Sequence, residues 1–351
     1  MATPRLRFCN LCLDFVHEHY TIAALRGINL TLHAGEILAL VGESGCGKSV
    51  LLKSVLGLNA SRAKLKAGAI YFYPATFDGK LSPALDLTHL PEGKLRKLRG
   101  QLIAAMFQDS EQALHPTITV GQQIVRQLKR LQGLSELQAQ KRMLELLTTL
   151  HLPQATALAK RVPAQLSGGQ RQRCALALAL AGQVQVLLAD EITSALDLTA
   201  RRTLLRLLLQ LKQAQDLSVL FVTHDLAAAA AVADRIGVMY AGRLVEIGSA
   251  TEICFDPRHP YTKALLAAQP ASFEPGKPLP TVPGQAPRLL NPPPGDLFAR
   301  RDAQALGVDY VRTPPFFALS ATHAAATWQL HPKVCGINYP LCPEMMGENL
   351  D

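Results

Sequence analysis

Between residues 5 and 41, apolar and polar positions trade places over short runs, "LRFCNLCLDFV", "GINLTL" and "EILALV", broken at Gly27 and at "HAGE" (33–36), where Gly35 marks a turn. That pattern predicts an antiparallel β region feeding a buried strand. "KSVLLKSVLGL" (48–58) changes to helical spacing and stops at Gly57. "VGQQIVRQLKRLQGL" and "LQAQKRMLELLTTLHL" keep that spacing with Gln-, Lys- and Arg-rich outer faces and no strand signal. They predict a helical subdomain, roughly residues 110–180, inserted between strand-bearing segments. Beyond it, "VQVLLAD" (184–190), "LSVLFVTH" (217–224) and "RIGVMYAGRLVEIG" (235–248) read as strands, separated by helical stretches at 199–214 and 226–233. Strands alternating with helices imply an α/β fold on a parallel sheet, and the last pair, joined across Ala241 and Gly242, reads as a hairpin.

Composition adds limits. With 351 residues, 48% hydrophobic and only 18% charged, the chain can bury a large core. Lys and Arg exceed Asp and Glu by nine, a balance that suits anionic ligands or surfaces without choosing among them. The most apolar stretch, "CALALALAGQVQVLLA" (174–189), is interrupted by Gly182, Gln183 and Gln185 and reads as helix, turn and strand, so neither a membrane span nor a secretion signal is expected. Seven cysteines, an odd number, point to free thiols and a reducing compartment; Cys9 and Cys12 lie in a strand pattern and read as core packing. The proline-dense run "PASFEPGKPLPTVPGQAPRLLNPPPG" reads as a linker or extended arm. "KLRKLRG" (94–100) reads as a solvated helix face.

The chemistry begins at "GESGCGKSV", Gly42, Glu43, Ser44, Gly45, Cys46, Gly47, Lys48, Ser49 and Val50. It follows an apolar strand and opens a helix, the context in which G-x-x-x-x-G-K-[ST] is a phosphate cradle. Its glycines let backbone N–H groups converge on phosphate oxygens, Lys48 reaches the terminal phosphates and Ser49 offers a hydroxyl to Mg²⁺. "VLLADE" supplies a second half: a buried strand ends in Asp190, suited to hold Mg²⁺, and Glu191, suited to polarise water. Gln108 and His224 end apolar strands and Tyr20 precedes the loop; singly, Gln108 reads more often as a surface residue, His224 as a structural one and Tyr20 as core. "AQLSGGQRQR" (164–173) poses a separate problem, because Ser167, Gly168, Gly169 and Gln170 read as a second helix start suited to an anion.

In order, the Gly-rich loop, Gln108, "LSGGQ", "LLADE", "SALD" (194–197) and His224 resemble the ATP-binding cassette (ABC) family over residues 5 to about 255. The resemblance implies a P-loop NTPase with a RecA-like core, an antiparallel β subdomain, the helical insert and a Pro-rich C-terminal extension over 256–351. It further implies ATP and Mg²⁺ as ligands and Tyr20 as an adenine platform. It makes Gln108 a group near Mg²⁺ or the attacking water and His224 a group near the γ-phosphate. "LSGGQ" acts in trans on nucleotide held by a second ATPase subunit, and "DSEQALHP" meets a membrane subunit.

"RHPYTKALLAAQP" (258–270) and "LPTVPGQAPRLLNPPPG" are similar to the ATPases of bacterial peptide and nickel importers. That branch implies a second, identical or homologous ATPase subunit, two transmembrane permease subunits, an extracytoplasmic solute-binding protein, and a peripheral place on the cytoplasmic face of the inner membrane. Two departures stand out. In "GDLFARRDAQA" (295–305), Gly295, Phe298, Arg301 and Ala305 match the branch, but Asp296 and Asp302 replace cysteines of an iron–sulfur pattern and Thr327 replaces another, so no iron–sulfur cluster is expected, Cys335 and Cys342 being too few. Ile192 stands where the family has proline, which is expected to alter the loop into "SALD" slightly. ABC ATPases of nucleic acid or ribosomes commonly carry two cassettes or a long coiled-coil insert; this chain shows one loop and one "LSGGQ", and no nucleic-acid partner is expected. A peptide exporter or resistance ATPase remains an alternative.

Overall fold

The computed structural model of the protein describes residues 3–75, 83–108, 113–194, 196–269 and 281–335. Four antiparallel strands open the chain's first layer: β1 (Pro4–Val16), β2 (Thr21–His33), β4 (Ala63–Phe72) and β5 (Leu85–Asp86), in the order β2-β1-β4-β5. Between β2 and β4 lie β3 (Ile37–Val41) and α1 (Lys48–Val55). β3 leaves this layer and enters an eight-stranded sheet with β6 (Ile103–Met106), β7 (Val186–Asp190), β8 (Ser218–Val222), β9 (Arg235–Tyr240) and β10 (Arg243–Ser249), completed by β11 (Phe317–Ala318) and β12 (Ala324–Ala325). β9, β3, β8, β7 and β6 run parallel; β10, β12 and β11 are added antiparallel at one edge.

Alternation on the central strands explains why they are apolar throughout. Ile37, Ala39 and Val41 of β3, with Leu187, Val219 and Phe221, face a core shared with the helices. Leu38 and Leu40, with Leu188, Leu220 and Val222, face a second core against the antiparallel layer. A strand buried on both faces needs no polar positions, so period two disappears from its sequence.

The helical insert packs as α3 (Val120–Gln132), α4 (Glu136–Thr149), α5 (Ala155–Ala159) and α6 (Gly168–Ala179). Thr119 with Gln122 and Ser135 with Gln138 form capping boxes at the starts of α3 and α4, and Gly133, at φ 65°, ends α3. "KLRKLRG" falls mostly within α2 (Glu92–Leu98), whose Leu95 is buried while Lys94, Arg96 and Lys97 are exposed. The remaining helices, α7 (Leu198–Gln215), α8 (Leu226–Val232), α9 (Ala250–Phe255) and α10 (Pro260–Ala267), follow in chain order, with α11 (Pro332–Cys335) last. Cys9 and Cys12 lie half-buried in β1, at a shift of its register, and neither they nor Cys46, Cys174 or Cys254 are joined in a disulfide. No helix among the described residues is long and apolar enough to cross a membrane.

The C-terminal segment departs from the linker or arm read from its prolines. Residues 270–280 lie outside the described residues, but parts of 281–335 pack against the two sheets. Ala23 N–H donates to the Leu289 carbonyl at 3.0 Å, β12 pairs with β10, and Phe298 is buried. Proline removes donors, which suits a segment that follows a surface; the anchoring comes from scattered side chains with no period.

Candidate functional site

The Gly-rich loop connects the C-terminal end of β3 to α1, where a parallel sheet opens its crevice. Two of its glycines are sterically required. A Cβ on Gly42 would lie 2.1 Å from the Met239 carbonyl oxygen, and one on Gly47 would lie 2.7 Å from that of Ala24. Gly47 is the N-cap of α1 with φ 106° and no side-chain cap, so the first N–H groups of α1 have no side-chain acceptor from the N-cap. Lys48 Nζ donates to the carbonyls of Gly42 (2.7 Å) and Glu43 (3.0 Å).

Across from it, β7 ends in Asp190, 5% exposed, and Ser49 Oγ donates to its Oδ1 at 3.0 Å. Burial, then the neighbouring Glu191 charge, push the Asp190 carboxyl above its ordinary range, against the lowering effect of the Ser49 bond. A buried carboxylate beside a hydroxyl is a hard-oxygen pair of the kind that holds Mg²⁺ together with phosphate oxygens, so these residues fit that ion. Glu191 follows with φ 50°, unusual for a residue with a Cβ. Its N–H donates to the Val222 carbonyl at 2.9 Å, and its own carbonyl accepts from Ser194 N (3.1 Å) and Oγ (2.9 Å). Held in this turn, its carboxylate Oε2 lies 3.3 Å from His224 Nδ1.

These groups meet in one cavity of about 330 Å³. Ser44, Gly45, Gly47, Lys48, Ser49 and Val50 form one wall; Gln108 and Glu191 form another. Phe15, Ile22, Ala24 and Leu289 supply an apolar side that the sequence did not reveal. Tyr20 is outside this lining: it is 46% exposed and stacks on His17, ring centroids 4.4 Å apart. Asp190 reaches the cavity through Ser49, and Gly42, Glu43 and Cys46 shape the loop from behind.

Ser167, Gly168, Gly169 and Gln170 do not line the cavity. Ser167 caps α6, accepting from Gln170 N at 3.3 Å while Gln170 Oε1 accepts from Ser167 N at 3.1 Å. Ser167 is exposed and the two glycines are half-buried. One turn on, Gln172 Nε2 donates to the Ile192 carbonyl, tying α6 to the residue after Glu191. Ile192 itself is buried in the helix-side core. Of "SALD", Ala195 lies outside the described residues, as do residues 109–112 of "DSEQALHP".

At the positions of the missing cysteines, Asp296 Oδ2 lies 3.6 Å from His259 Nε2 and Asp302 Oδ2 accepts from Gln329 Nε2 at 2.9 Å. Cys342 and the Cys335 side chain are outside what is described. Carboxylates engaged in this way do not fit an iron–sulfur cluster, which is held by thiolates.

A P-loop at the end of β3, with an acidic pair at the end of β7 one strand beyond β8, defines a nucleotide-hydrolysing ATPase with an inserted helical subdomain. Residues 25–194 match the ABC transporter family model, and 245–306 match the oligopeptide/dipeptide transporter C-terminal region. The oligopeptide transport ATP-binding protein OppD of Bacillus subtilis is 41% identical over 97% of this chain and 92% of its own length. The dipeptide transport ATP-binding protein DppD of Lactococcus lactis is 40% identical over 92% of this chain and 90% of its own length. Among solved structures, the dimeric bacterial ABC transporter cassette MJ0796 superposes with a TM-score of 0.59 at 29% identity, over 70% of this chain and 98% of that one. A dimeric post-hydrolysis state of that cassette, bound to ADP and Pi, matches to the same degree. The chain belongs to the ABC transporter ATPase family, in its oligopeptide/dipeptide branch, and is an ATP-hydrolysing subunit.

Proposed function

We propose that this subunit hydrolyses ATP to power the uptake of peptides or a related small solute. The loop N–H groups and Lys48 would hold the β- and γ-phosphates, and Ser49, Asp190 and Gln108 would hold Mg²⁺. Bound Mg²⁺ supplies charge neutralisation on the phosphates. Glu191 accepts a proton from the attacking water, and His224, beside its carboxylate, orients that base and contacts the γ-phosphate. The observation that carries this reading is the cavity in which Glu191, paired with His224 at 3.3 Å, faces Lys48 and Ser49.

Ser167, Gly168, Gly169 and Gln170, which do not line that cavity, close over the γ-phosphate of a second cassette, so that two chains enclose two nucleotides. The dimeric cassettes of similar fold support this assembly. Two membrane-spanning permease subunits and an extracytoplasmic binding protein complete the system, with this chain on the cytoplasmic face of the membrane. The Tyr20–His17 stack, close in sequence to the cavity-lining Ile22, is the platform that adenine meets on binding.

The test is reconstitution with two permease subunits and an extracytoplasmic peptide-binding protein. ATPase activity that rises when the binding protein carries a peptide supports the reading. Activity indifferent to every loaded binding protein contradicts the uptake role.

A further inference from the structure

Arg301 comes from the C-terminal extension, beyond the cassette proper, yet its guanidinium ends on the Gly-rich loop. Nη1 and Nη2 each donate at 2.8 Å to one oxygen of the Glu43 carboxylate, a two-pronged pairing across 258 residues of sequence. The remaining donors are also engaged: Nε donates to the Pro283 carbonyl and Nη1 to the Tyr240 hydroxyl at 3.1 Å. The guanidinium lies over the rings of Tyr240 and Phe298, 5.6 and 5.7 Å from their centroids. Its side chain is 6% exposed, and the Glu43 bonds shift its titration further upward. Tyr261, fully buried in α10, accepts from Glu43 N–H through its hydroxyl at 2.8 Å. Glu43 is therefore held at its backbone and its carboxylate by two residues outside the loop, while its carbonyl accepts from Lys48.

We infer that Arg301 is a positioning residue for ATP binding: through Glu43 it fixes the phosphate loop, and it cancels an anionic charge that would otherwise stand beside the triphosphate. Tyr261 fixes the same residue from the other side. The physical case is that a rigid, planar fork beside two aromatic rings and fully hydrogen-bonded has little freedom left to lose, so the loop it grips is pre-organised before nucleotide arrives. The extension that marks the peptide-transporter branch is then part of the nucleotide site. This inference rests on the reading of Gly42–Ser49 as the phosphate cradle.

The experiment measures Mg·ATP affinity and steady-state ATPase kinetics of the full chain in four forms: wild type, Arg301→Gln, Glu43→Gln and the double variant. Arg301→Gln is expected to weaken ATP affinity about tenfold and to raise KM while kcat at saturating ATP stays within about threefold. Glu43→Gln weakens affinity less, because it removes an anion from beside the phosphates together with the contact. The double variant binds no more weakly than Arg301→Gln, because both changes break one contact. Arg301→Lys, which keeps the charge and loses the fork, falls between wild type and Arg301→Gln. Affinity of Arg301→Gln within twofold of wild type, or effects that multiply in the double variant, would overturn the inference. Glu43→Gln lies on a partly exposed loop and reports even if Arg301→Gln fails to fold: unchanged affinity there contradicts the proposal. A wild-type chain that binds no ATP would overturn the reading of the cradle itself, and this inference with it.

Discussion

The chain has two glycine-bearing helix starts suited to an anion, and they are finished in opposite ways. At α1 the N-cap is Gly47, with a left-handed φ of 106° and no side chain to turn back on the helix. At α6 the N-cap is Ser167, whose hydroxyl and Gln170 partner satisfy each other's backbone in a capping box. The first start has no side-chain acceptor from its N-cap and faces a cavity lined also by Gln108 and Glu191. The second has its capping box complete without a ligand, does not line that cavity, and is joined through Gln172 to the residue after Glu191. The difference teaches that a glycine pair is not enough to define a site. An uncapped start needs a ligand to satisfy it, whereas a capped start stands ready and can present itself to another molecule's ligand.

Four substitutions sharpen that contrast. The largest effect is expected at the first start's catalytic partner: Glu191→Gln should lower kcat by about 10²–10⁴-fold while ATP binding survives, measured by phosphate release and equilibrium binding. Gly47→Ala should next abolish tight ATP binding, because its Cβ meets the Ala24 carbonyl at 2.7 Å in a backbone conformation that disfavours a side chain; equilibrium binding checks it.

A control away from both starts separates site effects from general loosening. Glu246 is fully buried and accepts from Arg258 N–H at 2.7 Å and His259 N–H at 3.0 Å, with His323 Nε2 2.7 Å away. Burial pushes its carboxyl upward, but these bonds outweigh it and leave the pKa below the ordinary value. A carboxyl depressed in the folded state contributes stability above its unfolded pKa and loses it as pH falls through the folded one. Glu246→Ala should thus cost about 3 kcal/mol at neutral pH, with a gap that narrows on acidification, measured by denaturant unfolding. The smallest effect is at the second start: Ser167→Ala should cost about 1 kcal/mol of stability with ATP binding unchanged.

Much of this site was legible because its parts are local. The Gly-rich loop, Asp190 with Glu191, and the α6 start each sit where a period changes, from strand to turn to helix, and glycine or serine is required there for reasons a few residues long. The parallel strands were readable for the same reason, as apolar runs bounded by turns. What escaped depends on distant partners. Arg301 meets Glu43 across 258 residues, and Leu289 reaches the nucleotide cavity from a proline-rich run with no periodicity. Arg301 was visible as a residue matching the peptide-importer branch, but nothing in its neighbourhood said what it touches. Tyr20, whose place ahead of the loop suggested the adenine, stacks on His17 outside the cavity lining, a pairing that no period in the sequence announced.

The central claim is that the second helix start serves nucleotide held by a partner cassette, and Gly169→Asp tests it most directly, by placing an anion at the half-buried first turn of α6. ATP binding and ATP hydrolysis are to be measured on the same full-length variant. The account predicts wild-type ATP affinity with hydrolysis lost. Hydrolysis at the wild-type rate, or loss of ATP binding in step with loss of hydrolysis, would contradict it.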